Sequence, residues 1–249
     1  MMFNPYSLEG KVILVTGASS GIGKATAVAC SRLGANLVLT ARNEERLLET
    51  YNSLDGEGHV MVNGDITNSE DLNKLVVSSP TLDGCVLCAG RGLTLPVQFA
   101  TPDKMDDMFC LNYFAPVELL RLLYKSKKLK KGSSVVALSS LGGTQVFSGC
   151  NSIYGASKAA LSSFMKFCAK EFSQRIIRVN CICPGMVETP FIHRDNRTDE
   201  QLEEDAKRYP LKRYGTPDDI AYMATYLLSD AASWVTGQDF IIDGGISLV

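Results

Sequence analysis

Short apolar runs recur along the chain, with longer stretches of helical periodicity between them. The runs are nearly continuous in Val, Ile, Leu and Cys rather than alternating with polar residues. Such runs are typical of parallel strands that are buried on both faces of a sheet. The predicted strands are Val12 to Val15, Leu37 to Leu39, Val60 to Val62, Gly84 to Leu87, Ser134 to Leu138, Val179 to Cys183 and Phe240 to Ile242.

Amphipathic stretches of helical length separate these runs. The predicted helices are Lys24 to Leu33, Glu44 to Leu54, Ser69 to Val77, Pro102 to Tyr124, Tyr154 to Phe172 and Pro217 to Leu228. Strand–helix alternation along the whole chain predicts an α/β fold, with residues 1–249 forming one doubly wound domain around a parallel seven-stranded sheet. Gly185 to Gly215 is polar and charged. Because ligands bind beyond the carboxyl ends of such strands, we expect residues 186–215 to form a substrate lid.

Charge and composition exclude several classes of function. The 249 residues include 25 basic and 27 acidic ones, a formal net charge of −2, which indicates neither a nucleic-acid nor a membrane partner. No apolar run reaches the length of a membrane span, and residues 1–10 lack the features of a secretory signal. We therefore expect a cytoplasmic protein with its eight cysteines reduced. His59 and His193 have no metal-ligand spacing around them, so no metal site is expected.

A glycine-rich turn follows the first predicted strand. The segment Thr16-Gly-Ala-Ser-Ser-Gly-Ile-Gly23 leads from strand to helix. Glycines let the backbone approach a pyrophosphate, and the helix N-terminus stabilises its charge. Glycines also occur in turns that bind no ligand, for conformational reasons alone. The position of this turn after the first apolar strand favours a dinucleotide site.

The end of the second strand bears on which dinucleotide binds. An acidic residue about 20 positions past the glycines would hold the ribose 2′-hydroxyl of NAD. Ala41 stands there instead and Arg42 follows it, and a guanidinium can fork onto a 2′-phosphate. The sequence therefore predicts NADP(H), although Arg42 and Lys24 also fit solvated charges at helix starts.

Tyr154 and Lys158 are the candidate acid–base pair. Four residues apart in a predicted helix, they share one face. An ammonium about 4 Å from the phenol would favour phenolate by about 4 kcal/mol at an effective dielectric of about 20, roughly three pKa units. The pair is a weak signal alone and becomes specific beside a nucleotide turn.

These motifs resemble the short-chain dehydrogenase/reductase family along essentially the whole chain. Further matching motifs are Asp65-Ile66, Ala89-Gly90, Asn112, Ser139-Ser140, Pro184-Gly185, Thr189-Pro190, Pro210-Leu211, Gly215-x-Pro217-x-Asp219-Ile-Ala221 and Asp243-Gly-Gly245. The resemblance implies a Rossmann fold and a catalytic set of Asn112, Ser140, Tyr154 and Lys158. In that set Tyr154 protonates the substrate oxygen, Lys158 lowers its pKa and holds the nicotinamide ribose, Ser140 donates to the carbonyl oxygen, and Asn112 fixes a water that relays protons to Lys158.

The resemblance also implies the residues that contact the nucleotide. Asp65 would meet the adenine amino group, and Pro184 to Thr189 would hold the carboxamide. The full set is Gly17, Ser19, Ser20, Gly21, Ile22, Gly23, Ala41, Arg42, Asn43, Asp65, Ile66, Cys88, Ala89, Gly90, Tyr154, Lys158, Pro184, Gly185, Val187 and Thr189.

The chain departs from the family pattern in three places. Cys88 replaces an Asn that supports the sheet and the cofactor loop. Ser140 and Tyr154 are one residue further apart than the commonest family spacing, which the loop between Gly142 and Ser152 is expected to absorb. The third departure is that the lid is strongly charged. It is interpreted either as a mobile cover over the site or, for its acidic part, as a solvated helix. His193 is expected to be an exposed residue of this lid. The charged residues of the lid include Glu188, Arg194, Asp195, Arg197, Asp199, Glu200, Glu203, Glu204 and Asp205.

Partners are suggested by two further features. One is a run of lysines ahead of the fifth predicted strand. In relatives that reduce acyl groups linked to acyl carrier protein, basic residues near this position contact that acidic partner. The alternative is that the lysines are cations placed favourably at a helix C-terminus. The run consists of Lys125, Lys127, Lys128, Lys130 and Lys131. By resemblance we also expect a homotetramer that associates through the long helices and the C-terminal strand. Side chains that either bury in that seam or face the sheet are Leu119, Leu123, Phe164, Phe167 and Phe172.

The sequence thus predicts an NADP-dependent oxidoreductase acting on a carbonyl or secondary alcohol. Its overall sequence pattern resembles that of 3-oxoacyl-[acyl-carrier-protein] reductases. Reductases of steroids, sugars or small ketones remain open. So does a non-catalytic nucleotide sensor or scaffold on the same fold. A nucleotide-sugar epimerase or dehydratase is the third alternative. It is disfavoured because those relatives have a different glycine spacing and usually a longer C-terminal domain.

Overall fold

The computed structural model describes residues 4–192 and 198–249. Within them the apolar runs form a sheet of seven parallel strands in the order β3-β2-β1-β4-β5-β6-β7. The strands are β1 (Val12–Thr16), β2 (Asn36–Thr40), β3 (Val60–Met61), β4 (Leu82–Leu87), β5 (Leu129–Leu138), β6 (Arg178–Pro184) and β7 (Asp239–Ile242). The order reverses between β1 and β4, and ligands bind such sheets in the crevice at this point.

Helices cover both faces of the sheet. They are α1 (Gly21–Arg32), α2 (Glu44–Asn52), α3 (Ser69–Ser78), α4 (Pro102–Phe109), α5 (Ala115–Lys125), α6 (Ser152–Phe172), α7 (Asp199–Ala206) and α8 (Pro217–Leu228). Side chains of α3, α5 and α6 pack in one hydrophobic layer with Leu14 of β1. Side chains of α1, α2 and α8 pack in a second layer with Ile13. Adjacent strand residues thus enter opposite layers, as burial on both faces requires.

The predicted helix from Pro102 to Tyr124 is interrupted. A π-helical turn, Cys110–Phe114, separates α4 from α5 and contains the fully buried Asn112. Pro116 has no N–H to donate to the carbonyl of Asn112 four residues earlier, and its ring crowds that carbonyl. A wider turn relieves this crowding, so the sequence places an irregular turn where Asn112 lies.

Most of the side chains considered for an oligomer seam pack against the sheet instead. Leu119 and Leu123 are fully buried and Phe172 is 6% exposed, all within the hydrophobic layer under the sheet. Phe164 is partly buried against the same layer. Phe167 alone of the five projects outward, with 67% of its surface exposed.

Candidate active site

The glycine turn is built against the loop that follows β4. Gly17 has φ of +66°, which favours glycine, and a Cβ there would lie 2.9 Å from the Cα of Ala89. The Oγ1 of Thr16 accepts hydrogen bonds from the N–H groups of Cys88 (3.0 Å) and Ala89 (3.1 Å). The two loops at the switch point are therefore held together, with Thr16 carrying much of the connection.

The start of α1 fits a nucleotide pyrophosphate. Among the described residues, the side chain of the N-cap residue Ser20 makes no capping hydrogen bond. Uncapped N–H groups and the positive end of the helix dipole suit a phosphate. A Cβ at Gly23 would collide with the carbonyl oxygen of Gly17, and one at Gly21 would lie 3.1 Å from Cγ2 of Thr189. The turn is thus a narrow cradle that side chains would fill.

Arg42 and Asp65 lie together beyond β2 and β3. The Nη1 of Arg42 is 3.6 Å from Oδ2 of Asp65, and the Arg42 side chain is 65% exposed. Burial works to raise the pKa of Asp65, but hydrogen bonds from Thr67 and the charge of Arg42 outweigh it and lower the pKa. Asn43 caps α2, its Oδ1 accepting from the N–H of Arg46 at 2.9 Å. Arg42 therefore lies at the surface beside the end of β2.

Ser140 and Tyr154 meet across the loop between β5 and α6. The Ser140 side chain lies within reach of the Tyr154 phenol and acts to lower its pKa, against the larger effect of burial. Gly143, with φ of +88°, lies so close to the carbonyl of Gly155 that a Cβ would collide with it. This contact fastens the loop to α6 despite the extra residue. Ser139 turns away, and its Oγ donates to the carbonyl of Lys158 at 2.9 Å.

Lys158 is buried and converges with Asn112 on Gly90. Its Nζ donates to the carbonyl of Leu138 at 2.7 Å. A Cβ on Gly90 would lie 3.1 Å from the Lys158 Nζ and 3.2 Å from the Asn112 Oδ1. Gly90 thus leaves room for both polar groups behind the loop.

Asn112 holds that loop in place. Its Oδ1 accepts from the N–H of Arg91 at 3.0 Å, and its Nδ2 donates to the carbonyl of Arg91 at 2.9 Å. The Nδ2 also lies 3.1 Å from the Oγ of Ser157, whose hydroxyl donates to the carbonyl of Tyr154. The Asn112 side chain therefore connects the loop after β4 to the helix that carries Tyr154.

The expected pKa of Tyr154 was wrong in direction. Burial raises the pKa of the phenol, the hydrogen bond from Ser140 offsets this only in part, and Cys183 adds to the increase. Burial likewise lowers the pKa of Lys158 to about 8. Tyr154 is therefore held as a neutral phenol, the form that can donate a proton to a developing alkoxide.

The cysteines are all free thiols. Cys85 of β4 packs in one hydrophobic layer and Cys88, which follows β4, packs against the other, so the two thiols lie on opposite sides of the sheet. Burial raises the pKa of Cys88 to about 12, although Lys158 works against the increase. Within the described residues no cluster of potential metal ligands is present, and no helix is long and apolar enough to span a bilayer.

The stretch after β6 packs beside the site. Pro184 ends β6, the N–H of Gly185 donates to the carbonyl of Ile242 (3.0 Å), and the Oγ1 of Thr189 donates to the carbonyl of Val187 (3.2 Å). Further along, a capping box of Thr198 and Gln201 starts α7, where Leu202 is buried. Most other α7 side chains are exposed or partly exposed, as expected for a solvated acidic helix. His193, Arg194, Asp195 and Arg197 lie outside the described residues.

Phe191 is a site residue that the sequence reasoning missed. Its ring centroid lies 5.8 Å from that of Tyr154, with the rings tilted by 55°. The apolar pair Phe191-Ile192 inside a charged stretch was the available signal, because isolated apolar residues in such a stretch usually pack against something.

The lysine run lies at the far end of β5 from Ser140. Lys125 ends α5, whereas Lys130 and Lys131 lie within β5 rather than before it. Lys130 pairs with Asp83 at 2.8 Å, and Lys128 donates to the carbonyl of Val77 at 3.3 Å. A ten-residue strand spans about 33 Å, so the run is remote from the candidate catalytic residues.

Comparison with known proteins identifies the family. A family model described as enoyl-(acyl carrier protein) reductase matches residues 17–247. The chain belongs to the short-chain dehydrogenase/reductase family. As a family member it is an oxidoreductase that uses a nicotinamide cofactor.

Relatives of the family carry different activities in their names. 3-Oxoacyl-[acyl-carrier-protein] reductase FabG of Rickettsia prowazekii (strain Madrid E) is 33% identical over 243 residues, covering 97% of this chain and 99% of that protein. L-xylulose reductase of Caenorhabditis elegans is 32% identical, covering 97% and 98%.

Solved structures agree on the fold. Levodione reductase has a TM-score of 0.88 at 29% identity, covering 97% of this chain and 99% of its own. A putative NAD(P)-dependent gluconate 5-dehydrogenase from Beutenbergia cavernae, with NADP bound at low occupancy, also has a TM-score of 0.88, at 28% identity, covering 99% and 100%.

Proposed function

We propose that this short-chain dehydrogenase/reductase is an NADP-dependent enzyme that transfers a hydride between the nicotinamide and a carbonyl or secondary alcohol. The observation that carries the proposal is the convergence of Ser140 and Tyr154, whose side chains interact at the carboxyl edge of the sheet. Lys158 lies four residues further along the same helix, and the glycine turn that fits a pyrophosphate begins at the same edge.

Each of the four polar residues has a role in this proposal. Tyr154 donates its phenolic proton to the substrate oxygen, and the Ser140 hydroxyl donates a second hydrogen bond that stabilises the developing negative charge. Lys158 holds the nicotinamide ribose hydroxyls and returns a proton to Tyr154. Asn112 holds the loop at Arg91 and, through a water, connects Lys158 to solvent. The nicotinamide, when bound, supplies the hydride.

The preference for NADP(H) rests on Arg42. Its guanidinium is largely exposed beside the end of β2 and only loosely paired with Asp65, so it is available to a 2′-phosphate. The neighbouring Ala41 supplies no carboxylate that would repel one. The gluconate 5-dehydrogenase that carries NADP supports this choice without deciding it.

The remaining nucleotide contacts of the proposal follow the sequence expectation. The glycine turn and Ser19, Ser20 and Ile22 take the pyrophosphate side, and Asp65 and Ile66 the adenine side. Cys88 to Gly90 face the ribose, and Pro184, Gly185, Val187 and Thr189 take the carboxamide side.

The substrate is proposed only as a carbonyl class. A carrier-linked 3-oxoacyl group is supported by FabG, but L-xylulose reductase is as similar. The remote position of the lysine run gives no support to carrier docking there. We further propose that the chain forms one domain, with residues 186–215 as the lid. We propose a homotetramer in which Phe167, an exposed side chain, makes a contact between subunits. We also propose a cytoplasmic location, which agrees with the free thiols.

The deciding experiment is a panel of aldehydes and ketones, including acetoacetyl thioesters, incubated with NADPH and followed by absorbance. Oxidation of NADPH that depends on a carbonyl would support the enzyme. A protein that binds NADPH but turns over none of the panel would support a nucleotide sensor instead.

A further inference from the structure

The ring of Phe191 is seated against Gly92, which has no side chain. A Cβ on Gly92 would lie 2.5 Å from the ring carbon Cζ of Phe191 and 3.0 Å from Cε1. Any other residue at position 92 would therefore displace the ring. Gly92 follows Ala89-Gly90-Arg91, the loop that Asn112 holds. The ring thus rests on the same loop that borders the catalytic residues.

The ring is also supported from behind. Ile192, Leu202, Tyr209 and Tyr214 form a buried apolar cluster, and Phe191 packs against it. This cluster is tied to the sheet edge, since the N–H of Met186 donates to the Tyr209 hydroxyl at 3.3 Å. Phe191 is therefore part of a packed platform and presents its ring toward Tyr154.

A substrate that reaches the Tyr154 hydroxyl lies beside both rings. Proton transfer requires the substrate oxygen to lie within about 3 Å of the Tyr154 hydroxyl. A substituent on the same carbonyl carbon then lies only a few Å further away. Since the two rings are in aromatic contact, with centroids 5.8 Å apart, Phe191 borders the space next to the Tyr154 hydroxyl and can contact that substituent. A flat apolar group gains aromatic contact there, whereas an ionised carboxylate loses water without gain.

We infer that Phe191, seated on Gly92, is a specificity-determining residue that selects aryl or other flat apolar groups beside the reacting carbonyl. The inference rests on the proposed carbonyl reduction and names its substrate class. The ring contacts the substrate, so its loss acts first on KM, while Tyr154 and Ser140 continue to perform the chemistry.

The test compares matched substrates on purified protein with NADPH. Diacetyl and acetylbenzoyl differ by a phenyl ring in place of one methyl group, and pyruvate has an ionised carboxylate in place of one acetyl group of diacetyl. Wild type should prefer acetylbenzoyl to both by about tenfold or more in kcat/KM. Phe191→Leu should lose most of this preference through KM, and Phe191→Tyr should retain it.

Two further variants separate specificity from general damage. Gly92→Ala should shift the ring and reproduce the effect of Phe191→Leu, whereas Phe167→Leu, an exposed phenylalanine on α6, should leave the preference unchanged. NADPH affinity should not change in the Phe191 variants, and both should remain folded at the assay temperature. An unchanged preference in Phe191→Leu would overturn the inference alone. A wild type that binds NADPH but reduces no carbonyl would overturn the proposed function, and the inference with it.

Discussion

The Ser140 side chain acts directly on the phenol of Tyr154, although fourteen residues and a glycine-containing loop separate the two in sequence. The effect of Ser140 partly offsets the rise that burial causes in the pKa of the phenol. Two neighbouring hydroxyls can both turn toward a third oxygen. The arrangement therefore provides two donors for one substrate oxygen with little reorganisation.

Replacement of Tyr154 tests whether the phenol supplies the proton. Tyr154→Phe keeps the ring and removes the hydroxyl, so the fold and NADPH affinity should be preserved. We expect kcat for carbonyl reduction to fall by about 10²–10⁴-fold, the size of one general acid. Tyr222→Phe, on the exposed surface of α8, is the matched control and should be fully active. Near-normal turnover by a folded, NADPH-bound Tyr154→Phe would mean that another group donates.

The loop that carries Ser140 depends on Gly143. Gly143→Ala would place a methyl group into the carbonyl of Gly155 at a φ that alanine rarely adopts. We expect unfolding free energy to fall by about 1–3 kcal/mol and kcat to fall as the loop separates from α6. Gly149→Ala, in the same loop with nothing within 4 Å of its Cβ position, is the control. Denaturant unfolding checks both, and equal stability of the two variants would contradict the contact.

Much of the fold was predictable because burial on both faces leaves continuous apolar runs. Each predicted strand is present, and the observed strands mostly extend further at one or both ends. At β5 the strand begins at Leu129, ahead of the predicted Ser134, because Lys130, Lys131 and Gly132 at its exposed start do not have the composition of a buried strand. Local composition marks where a strand is covered, not how far its hydrogen bonding continues.

The sequence motifs identify residues that converge at the candidate site, but they do not predict the pKa values of those residues. The opposing effect of burial on Tyr154 depends on how deeply the loops pack, which spacing does not encode. Phe191 was missed because its contact with Gly92 joins segments about a hundred residues apart in sequence. The interruption of the helix predicted from Pro102 to Tyr124 was missed as well, although Pro116 was an available signal, since a proline within a helical pattern ends or distorts the helix at the preceding turn.

Pro116 should matter to catalysis through Asn112. Pro116→Ala supplies an N–H to the Asn112 carbonyl and removes the crowding ring, which favours a regular helix. We expect Asn112 to withdraw from Arg91 and kcat to fall by about tenfold or more, while Tm stays equal or rises. Pro102→Ala at the start of α4, where proline is an ordinary first-turn residue, should leave kcat unchanged. Full activity of Pro116→Ala would show that the π turn is dispensable.

Arg42 should set the choice between the two nucleotides. Charge-assisted hydrogen bonds to a 2′-phosphate contribute about 1.5–3 kcal/mol, or roughly tenfold to 150-fold in affinity. Arg42→Ala should remove most of the preference for NADPH and hardly affect NADH, as measured by fluorescence titration. Arg46→Ala, an exposed arginine on α2, is the control for a general loss of positive charge. Equal affinities of wild type for NADPH and NADH would contradict the assignment.

The buried ammonium of Lys158 should make stability depend on pH in a defined window. Burial lowers the pKa of Lys158 from 10.5 to about 8. The folded protein therefore releases this proton at a lower pH than the unfolded chain does. Between these two values the unfolded state binds more protons, and raising the pH therefore favours folding. The unfolding free energy of wild type, relative to Lys158→Met, should rise by about 1 kcal/mol between about pH 8 and pH 9. Subtracting the variant cancels the opposite contribution of the buried thiols, whose raised pKa values cost stability as pH increases. Lys170→Met, on the exposed face of α6, should follow wild type throughout. Parallel curves for wild type and Lys158→Met, by urea unfolding at each pH, would mean that Lys158 keeps its ordinary pKa.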